Sequence, residues 1–237
     1  MPVTEDTIII CFAFNRPSHL DKTLHALSLN NESKSLPLRI HVDGARSDSD
    51  RALIEEVIRV AKKYETSFLS FELSQKHENK GLYWSITNGV SEALVQYGQV
   101  IVIEDDICAS PFFLEYMLTS LSLYRGDQIV ASIHGYTPPV NKPLPETFFL
   151  RGADCWGWAT WRDRWTNYFN SDADHLLSLI KSRGLIDEFN LCGGYDFYEM
   201  LRQKAIGNCQ SWAICWHASC FAHGYLTLHP GKTLIQN

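Results

Sequence analysis

The sequence has no block of lysines and arginines, and its 237 residues carry a formal net charge of -6 at pH 7. Nucleic-acid grooves and anionic membrane surfaces both select clustered positive charge, so nucleic acid is not an expected partner. No apolar run approaches the length of a membrane span, and the first residues, Met1-Pro2-Val3-Thr4-Glu5-Asp6-Thr7, lack a basic stretch followed by an apolar one. These absences predict a cytoplasmic chain without a transmembrane segment, whose contact with a membrane is at most peripheral. There is no internal repeat, low-complexity tract or obvious linker. Paired cysteines are missing too: the seven are an odd count scattered along a chain large enough to do without staples, which fits reduced thiols.

What is present is an ordinary globular composition, 45% hydrophobic and 20% charged, enough to bury one substantial core. Thr7 to Phe14 is a continuous apolar, β-branched run of the kind buried on both faces of a parallel sheet. Asn15-Arg16-Pro17-Ser18 breaks it, and Leu20, Leu24 and Leu27 then fall at helical spacing after a proline suited to a helix start. The unit repeats. Leu38 to Val42 is a strand ending in Asp43-Gly44, and Asp50 to Tyr64 has helical periodicity. Ser67 to Leu73 reads as a third strand, with a helix from Tyr83 to Tyr97, and Val100 to Ile103 as a fourth running into Glu104-Asp105-Asp106. Such alternation implies a doubly wound α/β domain whose ligands bind at the carboxyl ends of the strands. Arg16, Asp43 and Glu104 to Asp106 would then share one rim. Beyond Pro111 come a helix to Tyr124, a strand near Ile129 to Ile133, a proline-rich loop from Pro138 to Pro145 and an aromatic-rich last third.

Three consecutive carboxylates at a strand end repel one another, and a hard divalent cation relieves them by taking oxygen ligands and bridging to phosphate. A solvated acidic turn ahead of the next helix explains the same run, since the helix macrodipole favours acids there. Arg16 offers a rigid donor fork to a base or phosphate, and Asp43 an acceptor for an imide N–H or a ribose hydroxyl; an exposed ion pair between the two would look the same in sequence. Lys80, in Asn79-Lys80-Gly81, can meet a phosphate at a helix N-terminus or simply sit in a turn. Asp196 follows Gly193-Gly194-Tyr195, where aromatic neighbours would desolvate it into a general base, or where it caps a helix. In Asp154-Cys155-Trp156-Gly157-Trp158, one tryptophan is expected at a sugar site and the other in the core, with Trp158 the candidate for the binding pocket. Cys215, His217, Cys220 and His223 have zinc-type side chains, but nine residues are too few to hold two separated ligand pairs, and a packed helix accounts for them.

The run Ile8 to Arg16, the Asp43 strand end, Val102 to Ile107 with Pro111-Phe112-Phe113, and the later Gly157-Trp158 and Tyr195-Asp196 together resemble the GT-A glycosyltransferases. The likeness extends to the Golgi N-acetylglucosaminyltransferase I type and to bacterial family-2-like sugar transferases, and it covers nearly the whole chain in the same order. The resemblance implies a single GT-A domain over 1–237, with a nucleotide-sugar-binding half over about 1–110 and an aromatic-rich acceptor half over about 111–237. It also implies that Arg16 and Asp43 contact uracil, Glu104 and Asp105 the sugar and ribose, and Asp106 the Mn²⁺ or Mg²⁺ on the diphosphate. Asp196 would be the catalytic base of an inverting transfer from a nucleotide-sugar donor to a saccharide or glycolipid acceptor. Related chains continue past the apolar end at Leu234-Ile235-Gln236-Asn237, so a closing segment is expected to be missing. A sugar nucleotidyltransferase would carry a Gly-rich basic signature where Phe14-Asn15-Arg16-Pro17 stands, and a non-catalytic sugar-binding module would need the tryptophans but neither the acids nor Asp196.

Overall fold

The computed structural model describes residues 6–237. Its strands are β1 (Thr7–Ala13), β2 (Pro37–Val42), β3 (Ser70–Gln75), β4 (Gln99–Glu104), β5 (Cys108–Ala109), β6 (Val130–His134), β7 (Thr147–Arg151), β8 (Trp158–Trp161), β9 (Leu226–Pro230) and β10 (Ile235–Gln236). The helices are α1 (Pro17–Ser28), α2 (Asp48–Lys62), α3 (Leu82–Gln96), α4 (Phe113–Leu123), α5 (Arg162–Tyr168), α6 (Ala173–Ser182), α7 (Ile186–Phe189), α8 (Phe197–Ala205) and α9 (Ala213–His223). Eight strands form one sheet in the order β3-β2-β1-β4-β8-β6-β9-β7, and β10 pairs antiparallel with β5 beside it. Neighbours β3, β2, β1 and β4 run parallel, while β8 is antiparallel to both β4 and β6. This is a mixed α/β fold with a mainly parallel sheet flanked by helices, as the alternation of elements predicts.

The reason lies in β1. All seven of its residues are buried, so both faces must be covered. Ile9, Cys11 and Ala13 pack with leucines of α1 and α4 residues on one side, and Ile8, Ile10 and Phe12 with α3, α5 and α9 on the other. Pro17 opens α1, and Ser47 caps α2 by accepting from the Asp50 N–H. The third strand lies three residues later at its start than the apolar pattern suggests. It is the sheet edge, partly exposed along its length, and its apolar signal is weak. The tryptophan segment holds the larger departure: Trp158 to Trp161 is β8, inserted between β4 and β6 in the middle of the sheet.

A candidate active site at the carboxyl ends of the strands

Register fixes the site. Ala13 lies opposite Val42 and Phe12 opposite Glu104, so β1, β2 and β4 end together and their following residues share one rim. The turn after β4 is tied down by its backbone: Asp105 N donates to the Phe12 carbonyl at 2.9 Å, and the Thr23 hydroxyl of α1 donates to the Asp105 carbonyl at 2.8 Å. A cavity of about 180 Å³ opens there, between the ends of β1, β2 and β4 and the first turns of α3. Arg16, His41, Asp43, Ser85, Glu104 and Asp105 all line it.

Asp43, 8% exposed, organises one wall. Its Oδ1 accepts from the N–H groups of Gly44 and Lys80, and its Oδ2 from that of Gly81, each at 2.9 Å. Gly44 is obligatory beside it, because a Cβ there would lie 2.2 Å from the Glu78 carbonyl carbon. The expected role of the Lys80 side chain is not what the fold gives: Nζ pairs with Glu78 at 2.8 Å on the surface, and only the backbone N–H turns to the site. Arg16 likewise does not pair with Asp43. Its guanidinium bridges Asp105 and, at 2.8 Å, Asp106, because two carboxylates without other counter-charge are its strongest attraction.

One guanidinium does not balance three acids. Burial pushes the Glu104 carboxyl up to about 7, and Asp106 and Asp105 push it the same way against Arg16. Burial also raises Asp105, in spite of its bond to Arg16 and the Phe14 N–H. Among the described residues no three metal-ligating side chains converge. Hard carboxylate oxygens suit Mg²⁺ or Mn²⁺, which commonly takes one or two protein carboxylates and fills its shell with phosphate and water. Asp106, with 23% of its side chain exposed, is paired with Arg16 at 2.8 Å.

Two predicted site residues lie elsewhere. Trp158 is fully buried, with ring centroids 5.3 Å from Trp212, 5.7 Å from Trp165 and 6.2 Å from Trp216; it is core, and Trp156, 38% exposed, is the outward member of the pair. A β-strand side chain packed against three indoles has no face left for a sugar. Asp196 is exposed rather than desolvated and caps α8: its Oδ1 accepts from Glu199 N at 3.0 Å and from Asn190 Nδ2 at 3.1 Å. Beside it Phe197 packs on His217 at 4.6 Å, and His217 Nδ1 pairs with the Ala153 carbonyl at 2.8 Å. The same bond occupies His217 of the Cys/His stretch, and Cys215 and Cys220 are buried in α9.

The sequence signals missed His41 and Ser85. His41 stands two residues before Asp43 on β2, hence on the same face, and that spacing is the signal that finds it.

No protein-family model matches this sequence, and no curated protein matches it. Among solved structures the chain is similar to residues 1–349 of S. aureus TarS, with a TM-score of 0.57 and 11% identity over 97% of this chain. The fold is GT-A-like. This chain spans 59% of that one. The same fragment in complex with UDP-GlcNAc aligns at a TM-score of 0.48 and 11% identity, over 84% of this chain and 53% of that one. The mannosyltransferase PcManGT from Pyrobaculum calidifontis, in complex with GDP-Man and Mn²⁺, aligns at 0.42 and 14% identity, over 56% of this chain and 36% of that one. At these identities the likeness is one of fold.

Proposed function

We propose that the chain is a metal-dependent glycosyltransferase that moves a sugar from a nucleotide-sugar, UDP-linked, to a hydroxyl of a saccharide or glycolipid acceptor. The observation that carries this reading is the under-compensated acidic strand end in the cavity with Asp43, where Glu104 is held near 7 by burial and by its neighbours. A site that stores like charge beside a cleft is suited to a ligand that arrives with a cation. In this reading residues 1–110 bind the donor and 111–237 shape the acceptor side. Asp43 accepts from the base, Arg16 swings from Asp105 and Asp106 to the diphosphate, and Glu104 and Asp105 meet ribose and sugar hydroxyls. Bound Mn²⁺ or Mg²⁺ supplies neutralisation of the departing diphosphate, and Asp106 is the residue that would hold it.

Asp196 takes the proton of the acceptor hydroxyl as that oxygen bonds to the anomeric carbon, while the bond to the UDP oxygen breaks with its electron pair on UDP. Attack from the opposite face inverts the configuration. A sugar-binding module that works through tryptophans is less well supported, since Trp158, Trp161, Trp165, Trp212 and Trp216 are all at most 3% exposed. No helix among the described residues is long and apolar enough to cross a membrane.

Thermal unfolding with UDP, with and without Mn²⁺, tests the donor half, because a ligand that binds only the folded state raises its stability. Donor hydrolysis and transfer across nucleotide-sugars, beginning with UDP-GlcNAc, test the rest. Asp106→Ala is expected to abolish metal-dependent donor use, and Asp196→Ala to spare donor binding while removing transfer. Equal activity in both variants and the wild type overturns the assignment.

A further inference from the structure

We infer that His41 and Ser85 are specificity residues that hydrogen-bond the uracil ring of the donor from the floor of the cavity, a role that rests on the donor reading above and extends it. Both carry a buried polar atom that no described residue satisfies: Nε2 of His41 and Oγ of Ser85. An unpaired buried polar group costs about 1–3 kcal/mol, and a ligand whose polar atoms meet these two removes that cost. Orphaned nitrogens also occur on Trp158, Trp216 and His217, but these residues do not line this cavity, whereas His41 and Ser85 do.

The imidazole stacks on Phe12, with centroids 5.2 Å apart and planes at 18°. Gly89 of α3 lies against both rings: a Cβ there would lie 3.2 Å from His41 Nε2 and 2.8 Å from the Phe12 ring. Ser85 is one helical turn before Gly89 and therefore on the same face of α3. His41 is 5% exposed, and burial lowers its pKa to about 4, so at neutral pH the ring is uncharged and offers one N–H donor. The serine hydroxyl supplies a second.

These groups suit the imide edge that uracil and thymine share. Asp43 Oδ2 accepts a single N–H from Gly81 and retains a lone pair for another. An acceptor beside two donors complements an imide N–H between two carbonyls, the edge that uracil presents. Cytosine has an acceptor nitrogen at that position, which would face the carboxylate. At about 180 Å³ the cavity is below the roughly 300 Å³ at which small-molecule pockets begin, which favours a pyrimidine ring over a purine.

Titration calorimetry of UDP, CDP and GDP in the presence of Mn²⁺, on the full chain and on Ser85→Ala and His41→Phe, is the test, with thermal unfolding of each variant alongside. The wild type is expected to prefer UDP. Each variant should bind UDP about tenfold more weakly, with its preference over CDP eroded, as the loss of one hydrogen bond to a fixed partner implies. Ser85→Ala should meanwhile melt no lower than the wild type, because it removes an unsatisfied polar atom without adding volume where α3 approaches His41. A wild type that binds UDP, with variants that bind it equally well, overturns this inference alone. A wild type that binds no nucleoside diphosphate overturns the donor reading and this inference with it.

Discussion

The aromatic region around β8 and the acidic end of β4 lie one strand apart in the same sheet, and they treat their side chains in opposite ways. Around Trp158 four indoles pack ring to ring with no exposed face; at Glu104 to Asp106 three carboxylates crowd one guanidinium and leave charge uncompensated. Packing surplus marks stability, and electrostatic deficit marks a site prepared for something it does not itself supply. Two residues that are equally conspicuous in the sequence, Trp158 and Glu104, thus have different meanings.

The sharpest way to break that contrast is Trp158→Ala. Removing a fully buried indole should cost about 4 kcal/mol, and a chain of this size should melt roughly 10 °C lower. Trp156→Ala, at an outward position, should change stability by no more than about 0.5 kcal/mol. Circular-dichroism melts of the two variants decide between core and site. A Trp158→Ala protein that melts like the wild type yet fails to bind UDP would make the aromatic region the binding site.

The acidic end should respond to pH instead. Glu104 takes up a proton near pH 7 in the fold and near its ordinary 4.5 when unfolded, so between those values the native state holds the extra proton. Stability therefore falls as pH rises through this window, by about 3 kcal/mol, and the full loss is present above pH 7. Urea unfolding at pH 5 and pH 8 measures it. Glu104→Gln should flatten the slope, and Mn²⁺ with UDP should restore stability at pH 8 in the wild type. A wild type more stable at pH 8 than at pH 5, with Glu104→Gln unchanged from it, would show that burial and repulsion do not govern this carboxyl.

Legibility in the sequence follows the same divide. The strands β1, β2 and β4 are readable because each is a continuous apolar run that pairs with neighbours of the same repeating unit. So is the rim, since a parallel sheet puts strand ends together. β8 is not readable: Trp158-Ala159-Thr160-Trp161 pairs antiparallel between β4 and β6, strands from distant parts of the chain, and no local pattern specifies that partnership. The acids are legible as a charge anomaly, but the hold of Arg16 on Asp105 and Asp106, 89 and 90 residues away, is a tertiary fact. The same holds for the three N–H groups gathered by Asp43, two of which come from the loop before α3.

Asp196 gives a small stability effect and the most discriminating functional one. As an exposed cap of α8 that accepts from Glu199 N and Asn190 Nδ2, it should lose about 1 kcal/mol on mutation to alanine, the usual worth of such a cap. Both of these bonds fall on Oδ1, which fixes the carboxylate and leaves Oδ2 to meet a proton. Asp196→Asn keeps the cap, because the amide oxygen still accepts from Glu199 N, but it removes the basic oxygen. If Asp196 is only a cap, Asp196→Asn should transfer sugar as the wild type does, and Asp196→Ala should lose stability alone. If it is the base, both variants should bind UDP with Mn²⁺ normally and lose transfer by a factor of about 10² or more, with the asparagine variant near wild-type stability. Parallel melting curves and transfer assays on the two substitutions separate a side chain that holds a helix from one that also removes a proton.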